Sequence, residues 1–155
     1  MVTYGLTTLG AFGVILVVQQ QTGGEQLANF AGLSRRSPLL AFCMLVFLLS
    51  LAGIPPLAGF FGKFYIFSAV LRGNNLGLIW LVILALATSA VSLYYYLQVS
   101  KQIYVNESPA HQPSPSPMLL TQVFLAILAL AVVVIGCAPN LLLDPLTAAI
   151  KLAGL

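Results

Sequence analysis

Apolar residues fill four long stretches of this chain, about 2–18, 39–71, 76–99 and 118–138, with short polar connections between them. Stretches that are apolar all round, rather than along one stripe, predict helices immersed in lipid. The pattern therefore predicts an all-α fold: a polytopic membrane helical bundle of four transmembrane helices, forming a single membrane domain over residues 1–155. The first stretch is at the short end of the usual range of about 17–25 residues. The chain opens directly inside it, which reads as the start of a fragment or of one piece of a split polypeptide.

The second stretch is too long for one straight helix. Its 33 residues would extend about 50 Å at 1.5 Å per residue, against a hydrocarbon core of about 30 Å. Tilt does not absorb that excess. Its centre, LLSLAGIPPLAGFFGKFYIFSAVL from Leu48 to Leu71, supplies a remedy. Pro55 and Pro56 lack N–H groups, so in a continuous helix the carbonyls of Leu51 and Ala52 would have no partner. Each proline also moves the preceding residue out of the α region. Gly53, Gly59 and Gly62 add backbone freedom around the same point. A discontinuous helix is expected, broken over Gly53–Gly59. In lipid such a break survives only where protein buries it or where it lines a polar cavity.

Lys63 follows the break. It lies nine positions before Arg72, the first charge beyond the apolar run, or about 13.5 Å of helix. That is roughly half the hydrocarbon core, so Lys63 is expected near the midplane, too deep to snorkel. Thr88, Ser89 and Ser92 in the third stretch are candidates for a polar lining, able to hydrogen-bond across to a neighbouring helix.

The connections carry less chemistry. Between Gln19 and Pro38, Leu27, Phe30, Ala31 and Leu33 suggest an amphipathic turn or two at the surface, and Arg35 and Arg36 mark the membrane edge. Residues 72–75 are expected to form a polar turn. Tyr94, Tyr95 and Tyr96, just before Lys101, read as an interfacial aromatic belt. Gly5, Thr7, Thr8, Gly10 and Gly13 read as small packing residues of the first span. Val105–Pro117 is Pro/Ser-rich and predicts an extended loop; His111 within it is assigned no role. In the tail, 139–155, Leu146, Ile150 and Lys151 suggest a short interfacial helix.

Composition agrees with the pattern. The chain is 60% hydrophobic and 6% charged, with a mean hydropathy of +1.03, where soluble domains carry about 25% charged residues. Six basic residues against three acids give +3. Placed at membrane edges, this charge gives nucleic-acid binding no support. Arg35, Arg36 and Lys101 against Arg72 and Lys151 orient the bundle with both ends of the chain outside. Cys43 and Cys137 are expected near opposite faces of the membrane, beyond disulfide reach, as small packing residues.

No HExxH, CxxC, Gly-rich phosphate loop or pair of acids is present, so no cofactor or metal site is assigned. Lys63 is the one ionisable group of consequence in a span interior, and such a group is by default a functional candidate. Burial and the positive end of the second half-helix both disfavour an ammonium there. The lysine is therefore expected to take up and release a proton as its surroundings change. The alternative is a lysine statically paired to an acid from another polypeptide or from a region not in this chain.

The run Ser50-Leu-Ala-Gly-Ile-Pro-Pro-Leu-Ala-Gly-Phe-Phe-Gly-Lys-Phe64, with Ala31-Gly-Leu33 and Pro38-Leu39 before it and Ser92-Leu-Tyr-Tyr-Tyr-Leu97 after it, closely resembles the antiporter-like membrane subunits of proton-pumping NADH:quinone oxidoreductase. Within them it is most similar to subunit N (chain 2). The resemblance covers nearly the whole chain but only the last four of the fourteen helices of such a subunit. It implies that Lys63 matches the lysine of the family's second broken helix, part of a hydrophilic axis joining proton half-channels. It also implies a bacterial inner membrane or equivalent energy-transducing membrane, with both ends on the periplasmic side. The implied partners are the lipid bilayer, the other membrane subunits and the missing N-terminal helices. NADH and quinone are used by the whole complex, with no redox site in this chain. A cation/proton antiporter subunit and a structural membrane module without ion transport are the alternatives.

Overall fold

A computed structural model describes residues 2–24, 26–72, 77, 79–106 and 118–138. Arg72, expected to open a polar turn, is the last residue of the helix Ala58–Arg72. The rest of that expected turn (73–75), Glu25, the segment from Glu107 through His111 to Pro117 and the 139–155 tail lie outside the described residues. The described chain is helical: α1 (Val2–Thr22), a 3-10 turn (Leu27–Phe30), α2 (Leu33–Arg36), α3 (Pro38–Ala52), α4 (Ala58–Arg72), α5 (Ile79–Tyr104) and α6 (Leu119–Cys137). By length and composition α1, α5 and α6 are each apolar enough to cross a membrane, while α3 and α4 are shorter apolar helices placed end to end in sequence.

α1 continues past the apolar run over Gln19–Thr22 because main-chain hydrogen bonds do not depend on apolar side chains. It stops at Gly23, whose φ of 72° is left-handed and whose N–H donates to the Gln19 carbonyl at 2.8 Å, a glycine C-terminal stop. The connection then folds back against the bundle. Phe30, Ala31 and Leu33 are buried, whereas Leu27 is exposed. Arg36 Nη2 secures this corner by donating to the carbonyls of Asn29 at 2.8 Å and Ala31 at 3.1 Å.

α3 is the centre of the molecule. It starts with Pro38 at its first position, where a missing N–H costs nothing, and it touches α1, α2, α4, α5 and α6. Leu40, Ala41, Cys43, Met44, Val46, Phe47, Leu48 and Ser50 are all buried along it. α1 runs antiparallel to α3, with Thr7 beside Ser50 and Gly10 beneath the Phe47 ring, where a Cβ would collide with it. α6 closes the bundle with Leu125 over Gly13 and Gly136 against the backbone of Pro56–Ala58, each a place where a larger residue would collide. These close approaches follow the small-residue packing expected in lipid.

α5 is attached more loosely. Only Val82 and Ile103 are buried along it, and Tyr94 and Tyr95 project outward while Tyr96 packs against the core. Cys43 is buried, Cys137 is exposed in the last turn of α6, and both thiols are free.

Candidate functional site

The site grows out of the end of α3. Gly53 has φ 84°, a conformation open to glycine and strained for other residues. Its N–H donates to the Ser50 carbonyl at 3.0 Å, and the N–H of Ile54 reaches back to the Leu49 carbonyl at 3.1 Å. Those two bonds form a Schellman turn, the common way of ending a helix on a left-handed glycine. Pro55 and Pro56 follow, joined by a cis peptide bond. The Leu57 N–H then closes a turn onto the Ile54 carbonyl at 3.0 Å, and α4 begins.

A Schellman turn satisfies the carbonyls of Leu49 and Ser50 and leaves those of Leu51 and Ala52 open. Lys63 fills both. Its Nζ donates to the Ala52 carbonyl at 3.0 Å and to the Leu51 carbonyl at 3.3 Å. A third bond, at 3.3 Å, goes to Ser89 Oγ on α5. Side chains on a helix lean toward its N-terminus, so a lysine just past the first turn of α4 naturally reaches back over the break. Gly53 makes room for it: a Cβ there would lie 3.0 Å from Lys63 Cδ and 3.3 Å from Nζ. One residue thus meets two demands, the left-handed turn and the passage of the lysine stem.

In this arrangement the helix dipole that Lys63 meets is the opposite of the one expected. The amine does not face the positive N-terminus of its own half-helix. It faces the C-terminal carbonyls of α3, whose partial negative charge favours a cation. Among the described residues there is no Asp or Glu, and the three acceptors of Lys63 there are neutral.

Of the three candidate lining residues only Ser89 reaches the lysine. Thr88 Oγ1 donates to the carbonyls of Leu84 and Ala85 in its own helix, and Ser92 Oγ donates to that of Thr88. Gly62 has open space where its side chain would be, so no packing among the described residues requires a glycine there. Gly59 is different: a Cβ would run into the Ser50 carbonyl.

Two residues escaped the sequence reading as site components. Ser50 is fully buried, and its Oγ accepts from the Gly59 N–H at 3.2 Å across the break. Thr7, 1% exposed, lies 3.4 Å from the same Oγ. The signal for Ser50 was a lone hydroxyl three residues ahead of Gly53 in an otherwise apolar run. Thr7 gave none, because small polar residues in a span usually serve packing.

The profile of the family described as NADH:quinone oxidoreductase/Mrp antiporter, TM, matches residues 1–92. NADH-quinone oxidoreductase subunit N 2 of Acidobacterium capsulatum is 50% identical over 142 residues, covering 91% of this chain and 28% of that protein. NAD(P)H-quinone oxidoreductase subunit 2, chloroplastic, of Zygnema circumcarinatum is 52% identical over 108 residues, 70% of this chain and 21% of that one. A chain in a structure of respiratory complex I from Thermus thermophilus with bound aureothin superposes with a TM-score of 0.74 at 34% identity, over 92% of this chain and 33% of its own length. The chain therefore spans a third or less of the length of these relatives.

Proposed function

Because the chain belongs to the NADH:quinone oxidoreductase/Mrp antiporter transmembrane family, we propose that it takes part in proton translocation in the membrane arm of an NADH:quinone oxidoreductase, with Lys63 as a proton relay. The reading rests on one observation: the partners of Lys63 suit both protonation states of its side chain. An ammonium has three protons to donate, and two carbonyls and a hydroxyl oxygen accept them. A neutral amine keeps two protons for the carbonyls and offers a lone pair. The Ser89 hydroxyl can rotate and donate to it, as a carbonyl or carboxylate cannot. The site exchanges a proton without leaving a polar group unpaired at either end of the exchange.

In this reading the helix break supplies the carbonyls and Ser89 supplies the reversible partner. NADH and quinone are handled by other polypeptides of the complex, and this chain holds no prosthetic group. Its partners are the other membrane subunits, the remaining helices of a longer subunit and the bilayer. The chain is one membrane domain of a bacterial inner membrane or equivalent, with both ends on the periplasmic side. A cation/proton antiporter subunit would use the same relay without NADH or quinone.

The three fully used bonds of Lys63 also suit a static lock between α3, α4 and α5. Lys63→Met in the assembled complex separates the two readings. A relay predicts a complex that assembles and loses most of its NADH-driven proton pumping. A lock predicts failed assembly. Lys63→Arg is expected to fail as a relay too, because a guanidinium does not deprotonate.

A further inference from the structure

α4 meets α3 through a second connection, independent of the lysine. The N–H groups of the first turn of a helix have no partner within it. That of Gly59 is taken by Ser50 Oγ at 3.2 Å, from the last turn of α3. Thr7 Oγ1 gives its proton to the Thr3 carbonyl at 2.7 Å, so in the 3.4 Å contact with Ser50 it can only accept. The bonds then run one way: Gly59 N–H to Ser50, Ser50 O–H to Thr7, Thr7 O–H to Thr3. Ser50 and Thr7 are the two buried polar side chains of the described residues.

Gly59 and Lys63 are four residues apart, so they share one face of α4. Gly59 meets Ser50 there, and Lys63 meets the two carbonyls that follow Ser50. The rotation of α4 that seats Gly59 on the serine is the rotation that aims the lysine at Leu51 and Ala52. We propose that the Thr7–Ser50 hydroxyl pair is a positioning element for Lys63, through which α1 sets the angle of the second half-helix across the break. Neither hydroxyl hydrogen-bonds the amine or its acceptors; the pair acts by holding the Gly59 N–H.

The proposal rests on Lys63 being a relay. It is tested with Ser50→Ala, Thr7→Val and Thr7→Ser in the assembled complex, each alone and combined with Lys63→Met. Proton pumping per NADH oxidised is followed across pH. Thr7→Val keeps the shape of threonine and loses the hydroxyl; Thr7→Ser keeps the hydroxyl. Ser50→Ala and Thr7→Val are expected to lower pumping roughly tenfold, as one lost buried hydrogen bond implies, and to shift its pH profile. Thr7→Ser should restore it, and neither loss should appear on top of Lys63→Met. Equal losses with and without Lys63→Met, or normal pumping in both single variants, would overturn the positioning role. A Lys63→Met complex that pumps normally overturns the relay itself, and is recognised by that variant alone. If Ser50→Ala does not assemble, Thr7→Val, one bond further from the break, carries the test.

Discussion

Ser89 is the residue on which reversibility depends. The carbonyls of Leu51 and Ala52 serve an ammonium and an amine alike, but only the serine hydroxyl can turn from acceptor to donor. Ser89→Ala should therefore leave the complex assembled and the lysine seated on α3. It leaves the lone pair of the neutral amine without a donor, at a cost of about 1–3 kcal/mol to the deprotonated state, and a relay rate roughly tenfold lower follows. Ser89→Thr should keep most of the activity. Pumping by the three complexes, compared at equal NADH oxidation, checks this; normal pumping by Ser89→Ala refutes it. Gly53 is the other residue with no substitute. With φ at 84° and the lysine stem 3.0 Å from where a Cβ would stand, Gly53→Ala should cost about 1–2 kcal/mol in backbone strain alone. It also displaces Lys63, so thermal stability and pumping should fall together.

The break is a device made of several parts, and they were not equally legible. The two prolines, the glycine ahead of them and the excess length of the apolar run placed it in the sequence, because those signals are local. The open carbonyls of Leu51 and Ala52 were legible too, from the missing proline N–H groups. Their occupant was not. That the lysine turns back to them follows from the lean of side chains on α4 and from the left-handed turn at Gly53, which the dipole argument alone did not contain. Ser50 and Thr7 stand 43 residues apart, and no local pattern pairs them. Gly59 and Gly62 looked equivalent in sequence and are not. A Cβ on Gly59 meets the Ser50 carbonyl, a backbone atom that cannot step aside, whereas one on Gly62 meets nothing among the described residues. Gly59→Ala should force α3 and α4 apart at about 1–3 kcal/mol. Gly62→Ala should raise stability by up to about 1 kcal/mol, since alanine is the better helix former. Thermal unfolding of the two complexes gives opposite signs if this is correct, and the same sign if the glycines serve only flexibility.

At the scale of the whole molecule, α5 determines how the bundle meets its surroundings. Its 26 residues extend about 39 Å, more than the roughly 30 Å core, so both of its ends should reach the headgroup region. Trp80, the single tryptophan of the chain, is the second residue of the helix and 61% exposed. Tyr104, the last residue, is 43% exposed. Amphipathic rings at the two ends of a long apolar helix fit interfacial anchoring. Tyr94 and Tyr95 lie about 14–15 Å inward of Tyr104 along the axis, so the belt at that end is better served by Tyr104 than by the tyrosine run. The chain reconstituted in vesicles offers a direct measurement, because its fluorescence at long excitation wavelengths comes from Trp80 alone. Lipids brominated near the glycerol should quench it more strongly than lipids brominated near the chain ends. Stronger quenching from the deep bromines would mean that α5 sits shifted along its axis, with the tyrosine run at the interface after all. Absence of quenching by either would mean that its exposed face is covered by protein.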